Sequence, residues 1–328
     1  MNTGRLRRYA LRMPHSPAAT KFSPQDWAFA LSIVLIWGMN FVVMKVALAD
    51  FTPFELGAAR YVAAALPLVL LIKPPKLHWK FVVLYGLCQG VGQFGFLFSA
   101  LNAGMTAALA SVLMQTQVFF TALFGMLFLR ERLGKQQLLG LGLAALALSC
   151  FAMHFIAKNN HLTVTLTVFS FILNLLAAAS WAVSNIVARR AQQSAVASHG
   201  QGYDPLAFVV WSSLLPVLPF LLMSWALEPA ALRGRWVHAP WQAWLAVLYL
   251  GWVATIAAYG MWTLLLKRHA ANRVAPLSLG VPLVGLAAGI GLLGEQVSPW
   301  QWAGVACIVA ALGCTLLGER WLGRKLPV

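Results

Sequence analysis

AALASVLMQTQVFFTALFGMLFLRERLGKQQLLGLGLAALALSC, residues 107–150, reads as an apolar helix, a short polar turn (Arg130 to Lys135) and a second apolar helix. Residues 271–314, ANRVAPLSLGVPLVGLAAGIGLLGEQVSPWQWAGVACIVAALGC, repeat that plan without a gap through the turn Gly294 to Pro299. A slide of 164 residues pairs Glu131 with Glu295, Gln137 with Gln301, Gly125 with Gly289, Gly140 with Gly304 and Cys150 with Cys314. Ten of the 44 pairs are identical. Several of these are Ala or Leu, so the weight rests on the shared phase and on the single acid at the same helix end. The chain therefore reads as a duplicated membrane unit.

Composition agrees. The 328 residues are 60% apolar and 10% charged, with a mean hydropathy of +0.75, against about 25% charge in a soluble domain. The excess of 24 Lys and Arg over 8 Asp and Glu would suggest nucleic acid in a soluble chain. In a membrane chain it marks basic loops facing anionic lipid, so lipid is the expected partner and nucleic acid is not. Cys88, Cys150, Cys307 and Cys314 lie in apolar runs and read as small core residues, not as disulfides or metal ligands.

The expected fold is an all-α integral membrane protein of ten transmembrane helices in two inverted five-helix repeats. A basic, disordered tail covers 1–24, with no apolar signal core after Arg7-Arg8. The first repeat covers 25–156, a linker 157–163, the second repeat 164–319, and a short tail 320–328. Spans of about 20 residues fall near 27–48, 54–72, 80–101, 105–129, 136–156, 164–188, 205–227, 242–266, 272–293 and 299–318. With both termini inside, 19 of the 24 Lys and Arg lie in inside segments, three (Lys158, Arg233, Arg235) in outside loops, and Lys45 and Arg60 within spans. Five spans per repeat turn the second half upside down. Trp37 and Lys45 echo Trp181 and Arg189, and Leu66-Pro67-Leu68 echoes Leu215-Pro216-Val217. The second half's extra length is assigned to loops near 191–204 and 228–241.

Polar groups in hydrocarbon are costly unless they pair or line a cavity. Trp37 with Asn40, and Trp181 with Asn185, put an indole and an amide about a turn apart in spans 1 and 6; an interhelical hydrogen bond beside a packed indole would explain them equally. Gln89, Gln93 and Phe96 share one face of span 3. Gln115 and Gln117, two apart, are expected to place at most one amide on the same surface. Tyr259 and Trp262 follow in span 8. Pro276, Gly280 and Pro282, with Ser278 between, mark a bent or unwound span 9, the kind of broken helix at which carriers bind substrate; a kinked packing helix is the alternative. Thr121/Gly125 and Gly285/Gly289 read as packing surfaces. Lys45 and Arg60 read as snorkelling near the outer face or pairing with Asp50 and Glu55, in preference to attracting an anion at an outer gate. Glu131 and Glu295 are read as fixing their own turns. No phosphate-binding loop, paired intramembrane carboxylates, metal-ligand spacing or nucleophile elbow appears, so neither a catalytic group nor a cofactor is expected.

On WGMNFVV (37–43), QFGFLF (93–98), QTQVFF (115–120), ERLGKQ (131–136), VATIAAYG (253–260) and RVAPLSL (273–279), the chain resembles the drug/metabolite transporter superfamily. Each half is similar to an EamA domain, and residues 27–320 are most similar to the O-acetylserine/cysteine exporter branch. The basic tail before Ser23 departs from that pattern. The resemblance implies export of a small zwitterionic metabolite across a bacterial inner membrane, through a cavity lined by spans 1, 3, 4, 6, 8 and 9, in a chain that could act as a monomer. Aromatic or other neutral amino acids and drugs are alternative cargoes, and a membrane-embedded enzyme is the alternative of another class. All eight acids fall in tails, loops or first turns, so transport is expected to run without a proton gradient.

Orientation is testable directly. In a Cys-free background, a cysteine at position 298 should react with an impermeant thiol reagent in intact cells, and one at 134 only after the inner membrane is opened. The reverse pattern would invert the assignment.

Overall fold

The computed structural model describes residues 22–129, 135–156, 161–200, 202–268 and 280–322. The described residues are helical throughout, without strands. In the first half α1 is Pro24–Ala47 and α2 is Pro53–Ala65, continued past Pro67 as α3, Leu68–Leu71. One rod then joins α4 (Trp79–Tyr85), a π-helical segment (Gly86–Phe94) and α5 (Gly95–Asn102). Next come α6 (Ala107–Leu113), a 3₁₀ turn (Met114–Thr116), α7 (Gln117–Leu129) and α8 (Lys135–Ile156). The second half holds α9 (His161–His199), α10 (Pro205–Ser212), α11 (Val217–Leu227) and a rod of α12 (Trp241–Leu248), a second π segment (Tyr249–Ala257) and α13 (Ala258–Arg268). It closes with α14 (Gly280–Leu293) and α15 (Pro299–Leu322).

Seven of these stretches are long and apolar enough to cross a bilayer. The helices α8, α14 and α15 lie at the places of the three further expected spans. Large apolar side chains such as Leu70, Leu71, Leu218 and Leu222 point outward, and Trp27, Trp79, Trp241 and Trp300 are exposed in the first turns of their helices, as aromatic residues are at a membrane interface.

The helix starts follow from sequence. Ser23-Pro24-Gln25-Asp26 and Thr52-Pro53-Phe54-Glu55 each form a capping box with proline at the first helical position. Asp204 caps α10 ahead of Pro205. The two repeats keep the same irregularities. Nine-residue π segments fall at corresponding places in α4–α5 and α12–α13, and the echo around Pro67 and Pro216 is a matched helix interruption in both halves.

Small residues bring the halves together. A Cβ on Gly38 of α1 would lie 2.5 Å from the Val284 side chain of α14 and 3.1 Å from the Val281 carbonyl, so these backbones touch. Gly285 faces Ser111 in the same way, wedging α14 between α1 and α6.

Three expectations need correction. The segment 191–199, assigned to a loop, continues α9, which is 39 residues long. No Pro or Gly interrupts it, and Ala191 and Ala195, one turn apart, are buried; Ala191 packs with Phe81, Val82 and Phe208. Lys45 neither snorkels nor pairs with Asp50 or Glu55: its Nζ donates to the carbonyls of Leu101 (2.8 Å) and Met105 (3.1 Å). Glu295 does not merely fix its own turn, because its carboxylate accepts from the amides of Ala107 (2.7 Å) and Ala108 (2.8 Å) in the other half. The turn at Glu131, and Pro276 and Ser278, lie outside the described residues; Pro282 falls in the first turn of α14.

The close approach predicts a stability effect. Gly38→Ala should lower the thermal midpoint of the purified protein, by overpacking of about 1–3 kcal/mol. An unchanged midpoint would mean that α1 and α14 are not held at contact distance.

Candidate functional site

The site begins with the indole of Trp37. Its Nε1–H donates to the Ala254 carbonyl at 3.0 Å, tying α1 to the π segment of the second half. Its ring packs against Tyr259 at 5.1 Å and Trp262 at 5.5 Å between centroids. The three rings form an aromatic wall where α1 meets α13. One turn from Trp37, Asn40 donates through Nδ2 to the Met44 sulfur at 3.8 Å, while its Oδ1 is buried without a partner.

Opposite this wall, Asn185 of α9 donates to Gln117 Oε1 at 3.0 Å and to Thr121 Oγ1 at 3.3 Å. Thr121, read above as part of a packing stripe, thus also holds an amide. Trp181 lies one turn away from Asn185. Gln93, at the end of the first π segment, has a buried Oε1 without a partner. These groups enclose a cavity of about 210 Å³. Its walls come from both halves, including Gln115 of the 3₁₀ turn and Val281 of α14.

Of the residues singled out in sequence, Trp37, Asn40, Gln93, Gln115, Trp181, Asn185, Tyr259 and Trp262 line this cavity. Gln89 stands behind it, its Nε2 donating to the Tyr259 hydroxyl at 2.8 Å, beside a second, smaller cavity. Phe96, half-buried, packs against the main core cluster and does not line the cavity. The wider i→i+5 turn of the π segment carries the face forward, so that Phe94 and Leu97 take its place. Gln115 and Gln117 both line the cavity, against the expectation that at most one would. The 3₁₀ turn over Met114–Thr116 breaks the α-helical phase on which that expectation rested. Gly280 packs against Val34 of α1.

The largest correction is Arg60. Read as a peripheral charge, it is 2% exposed and lines the central cavity. Its guanidinium lies 3.8 Å from the centroid of the Phe94 ring and donates from Nη2 to Thr255 Oγ1 at 3.0 Å. It is two turns into α2, where small residues let neighbouring helices close over it: a Cβ on Gly57 would lie 2.8 Å from the Phe220 ring of α11, and one on Gly251 of the second π segment 2.7 Å from Ala63. That run of small residues was the available signal. Among the described residues the cavity wall holds this one charge and no Asp, Glu, Lys, His, Ser or Cys.

Residues 27–153 and 168–317 match the EamA-like transporter family. The chain is similar to a probable amino-acid metabolite efflux pump of Salmonella typhimurium strain LT2, with 40% identity over 91% of this chain and 97% of the relative. A protein of the same description from Escherichia coli K12 is 38% identical over 91% and 97%. A probable terminal-alkyne amino-acid exporter of Streptantibioticus cattleyicolor is 27% identical over 93% and 97%. A solved crystal structure superposes on 91% of this chain and 98% of its own with a TM-score of 0.57 at 19% identity, a likeness of fold.

The geometry predicts which positions small water-soluble reagents reach. In a Cys-free background, Asn40→Cys and Gln93→Cys should react with a small charged methanethiosulfonate, and Phe96→Cys at least tenfold more slowly. Equal rates at the three would mean that the cavity is not the aqueous path.

Proposed function

The chain belongs to the EamA-like transporter family, and from that premise we propose that it exports small amino-acid-type metabolites, with O-acetylserine and cysteine-pathway compounds foremost, by alternating access. The reading places it in a bacterial inner membrane with ten crossings in two inverted repeats and both termini in the cytoplasm. The observation that carries it is the central cavity, polar and aromatic, with walls drawn from both halves. A site at the seam of inverted repeats is the arrangement that lets two halves exchange roles around a fixed ligand. The relatives described as amino-acid metabolite efflux pumps, matched over nearly their whole length, support the cargo class.

The volume of about 210 Å³ is below the ~300–1,000 Å³ of drug-sized pockets, which favours an amino acid over a drug. Among the described residues the wall holds no Ser, Cys, Lys, His, Asp or Glu from which the usual nucleophile–base pair of a catalytic site is built.

Energy coupling follows from the acids. Asp26, Glu55, Asp204, Glu228 and Glu295 each accept hydrogen bonds from backbone amides at the start of a helix. None lines the cavity, so the reading is transport down the substrate's own gradient. The test is uptake of radiolabelled L-cysteine and O-acetyl-L-serine into proteoliposomes, with and without an imposed pH gradient. Equilibration without a gradient is the expected result. Uphill accumulation driven by the pH gradient would overturn the uncoupled mechanism, and failure to move any amino acid would overturn the cargo.

A further inference from the structure

We propose that Arg60 is the carboxylate-binding group of the cavity, so that the protein selects substrates carrying a free carboxylate; this rests on the cavity being the substrate site. A guanidinium stays protonated in any protein environment. A buried ion without a counter-ion is costly, and such groups in membrane helices mark ligand paths or pairs. Arg60 has no carboxylate partner among the described residues. Its contacts are the Phe94 ring, the Tyr61 ring with its centroid at 6.0 Å, the Thr255 hydroxyl at 3.0 Å and the Met44 sulfur at 4.0 Å, none of them a carboxylate. Thr255 is held as an acceptor because its own hydroxyl donates to the Leu250 carbonyl at 2.8 Å. The guanidinium is therefore fixed in place from one side, while its Nε is buried with no acceptor. Five N–H groups in a rigid fork, two of them engaged, leave room for a carboxylate, which the fork binds bidentately.

The groups nearby suit the other end of an α-amino acid. The Met44 sulfur lies within 4.0 Å of both Arg60 Nη1 and Asn40 Nδ2, so amide and guanidinium are neighbours. Asn40 Oδ1 and Gln93 Oε1 are buried acceptors without donors. Together with the faces of Trp37 and Tyr259 they can take an ammonium group by hydrogen bonding and cation–π attraction. A carboxylate and an ammonium on one carbon match a fixed cation beside unpaired amide oxygens. An amine lacking the carboxylate would leave the cation unpaired and add a second positive charge beside it.

The test is counterflow of radiolabelled L-cysteine, L-serine and O-acetyl-L-serine in proteoliposomes, with each compound's α-amide as competitor. Wild-type protein should take the acids and bind the amides at least tenfold more weakly, the scale of a lost charge-assisted hydrogen bond. Arg60→Gln should raise KM for the acids at least tenfold and bring the acid-to-amide ratio near one. Arg60→Lys should fall between, keeping charge but losing the fork. Should the glutamine variant fail to fold, the lysine variant and the wild-type ratio decide. Wild-type protein that binds acids and amides equally would overturn the proposal while leaving amino-acid export standing. A glutamine variant that weakens acids and amides in equal proportion would assign Arg60 a structural role and also overturn it. Absence of counterflow for every acid would instead bring down the export reading and this proposal with it.

Discussion

Two backbone amides at the start of α6, those of Ala107 and Ala108, would be left without acceptors at the end of a helix packed among other helices. The Glu295 carboxylate, from the opposite half, accepts from both. Each such charge-assisted bond contributes on the order of 1.5–3 kcal/mol, and a carboxylate at a helix N-terminus gains further from the dipole. The same turn is held from its carbonyl side, where Lys45 takes Leu101 and Met105. An anion on the amides and a cation on the carbonyls thus lock the α5–α6 connection to α1 and to the end of α14. With that end fixed, Gly38 and Gly285 allow α14 to lie along α1 and α6. The wall formed by Asn40, Met114 and Val281 takes its position from that contact.

The fold was readable because its evidence is periodic. Apolar runs of bilayer length and a 164-residue slide are properties of whole segments and survive local error. The indole–amide pairs were readable for a related reason. A costly polar group in an apolar helix demands an explanation, and Trp37, Asn40, Trp181 and Asn185 each met that demand at the cavity. What escaped were consequences of local helix geometry. The π segment displaced Phe96 and the 3₁₀ turn admitted both Gln115 and Gln117; neither departure from 3.6 residues per turn leaves a mark in hydrophobic spacing. Arg60 escaped because position along a helix does not give depth in the fold. Its seven residues from Pro53 would reach an interface only if α2 had free surface there, and its small neighbours mean the opposite.

The repeats show which features are scaffold and which are chemistry. Both halves keep the π segment, the proline interruption and the tryptophan of the first span. Tyr85, just before the first π segment, and Tyr249, the first residue of the second, match under the same 164-residue slide. An indole–amide pair stands in the first span of each half, but other polar groups of the cavity do not follow this symmetry. The slide takes Gln89 to Val253 and Gln93 to Ala257, and the proline echo takes Arg60 to Val209. Duplication therefore accounts for the shared scaffold of the two halves, and departures from it account for several of the side chains at the cavity wall.

That asymmetry has an electrostatic consequence. A single cation in one half gives the cavity a positive pole between α2 and the second π segment, with no negative pole among the described wall residues. A zwitterion bound there has one favoured direction, its carboxylate toward Thr255 and its ammonium toward the amide oxygens and indoles. It carries no net charge across the membrane, so the Arg60 charge that assists binding need not move with the cargo. The acids, fixed at helix starts, hold the ends of the helices together and leave recognition to neutral amides, aromatic faces and one guanidinium. The acids that join helix ends and the side chains that line the cavity are thus different residues, so the wall can vary while those joints stay the same.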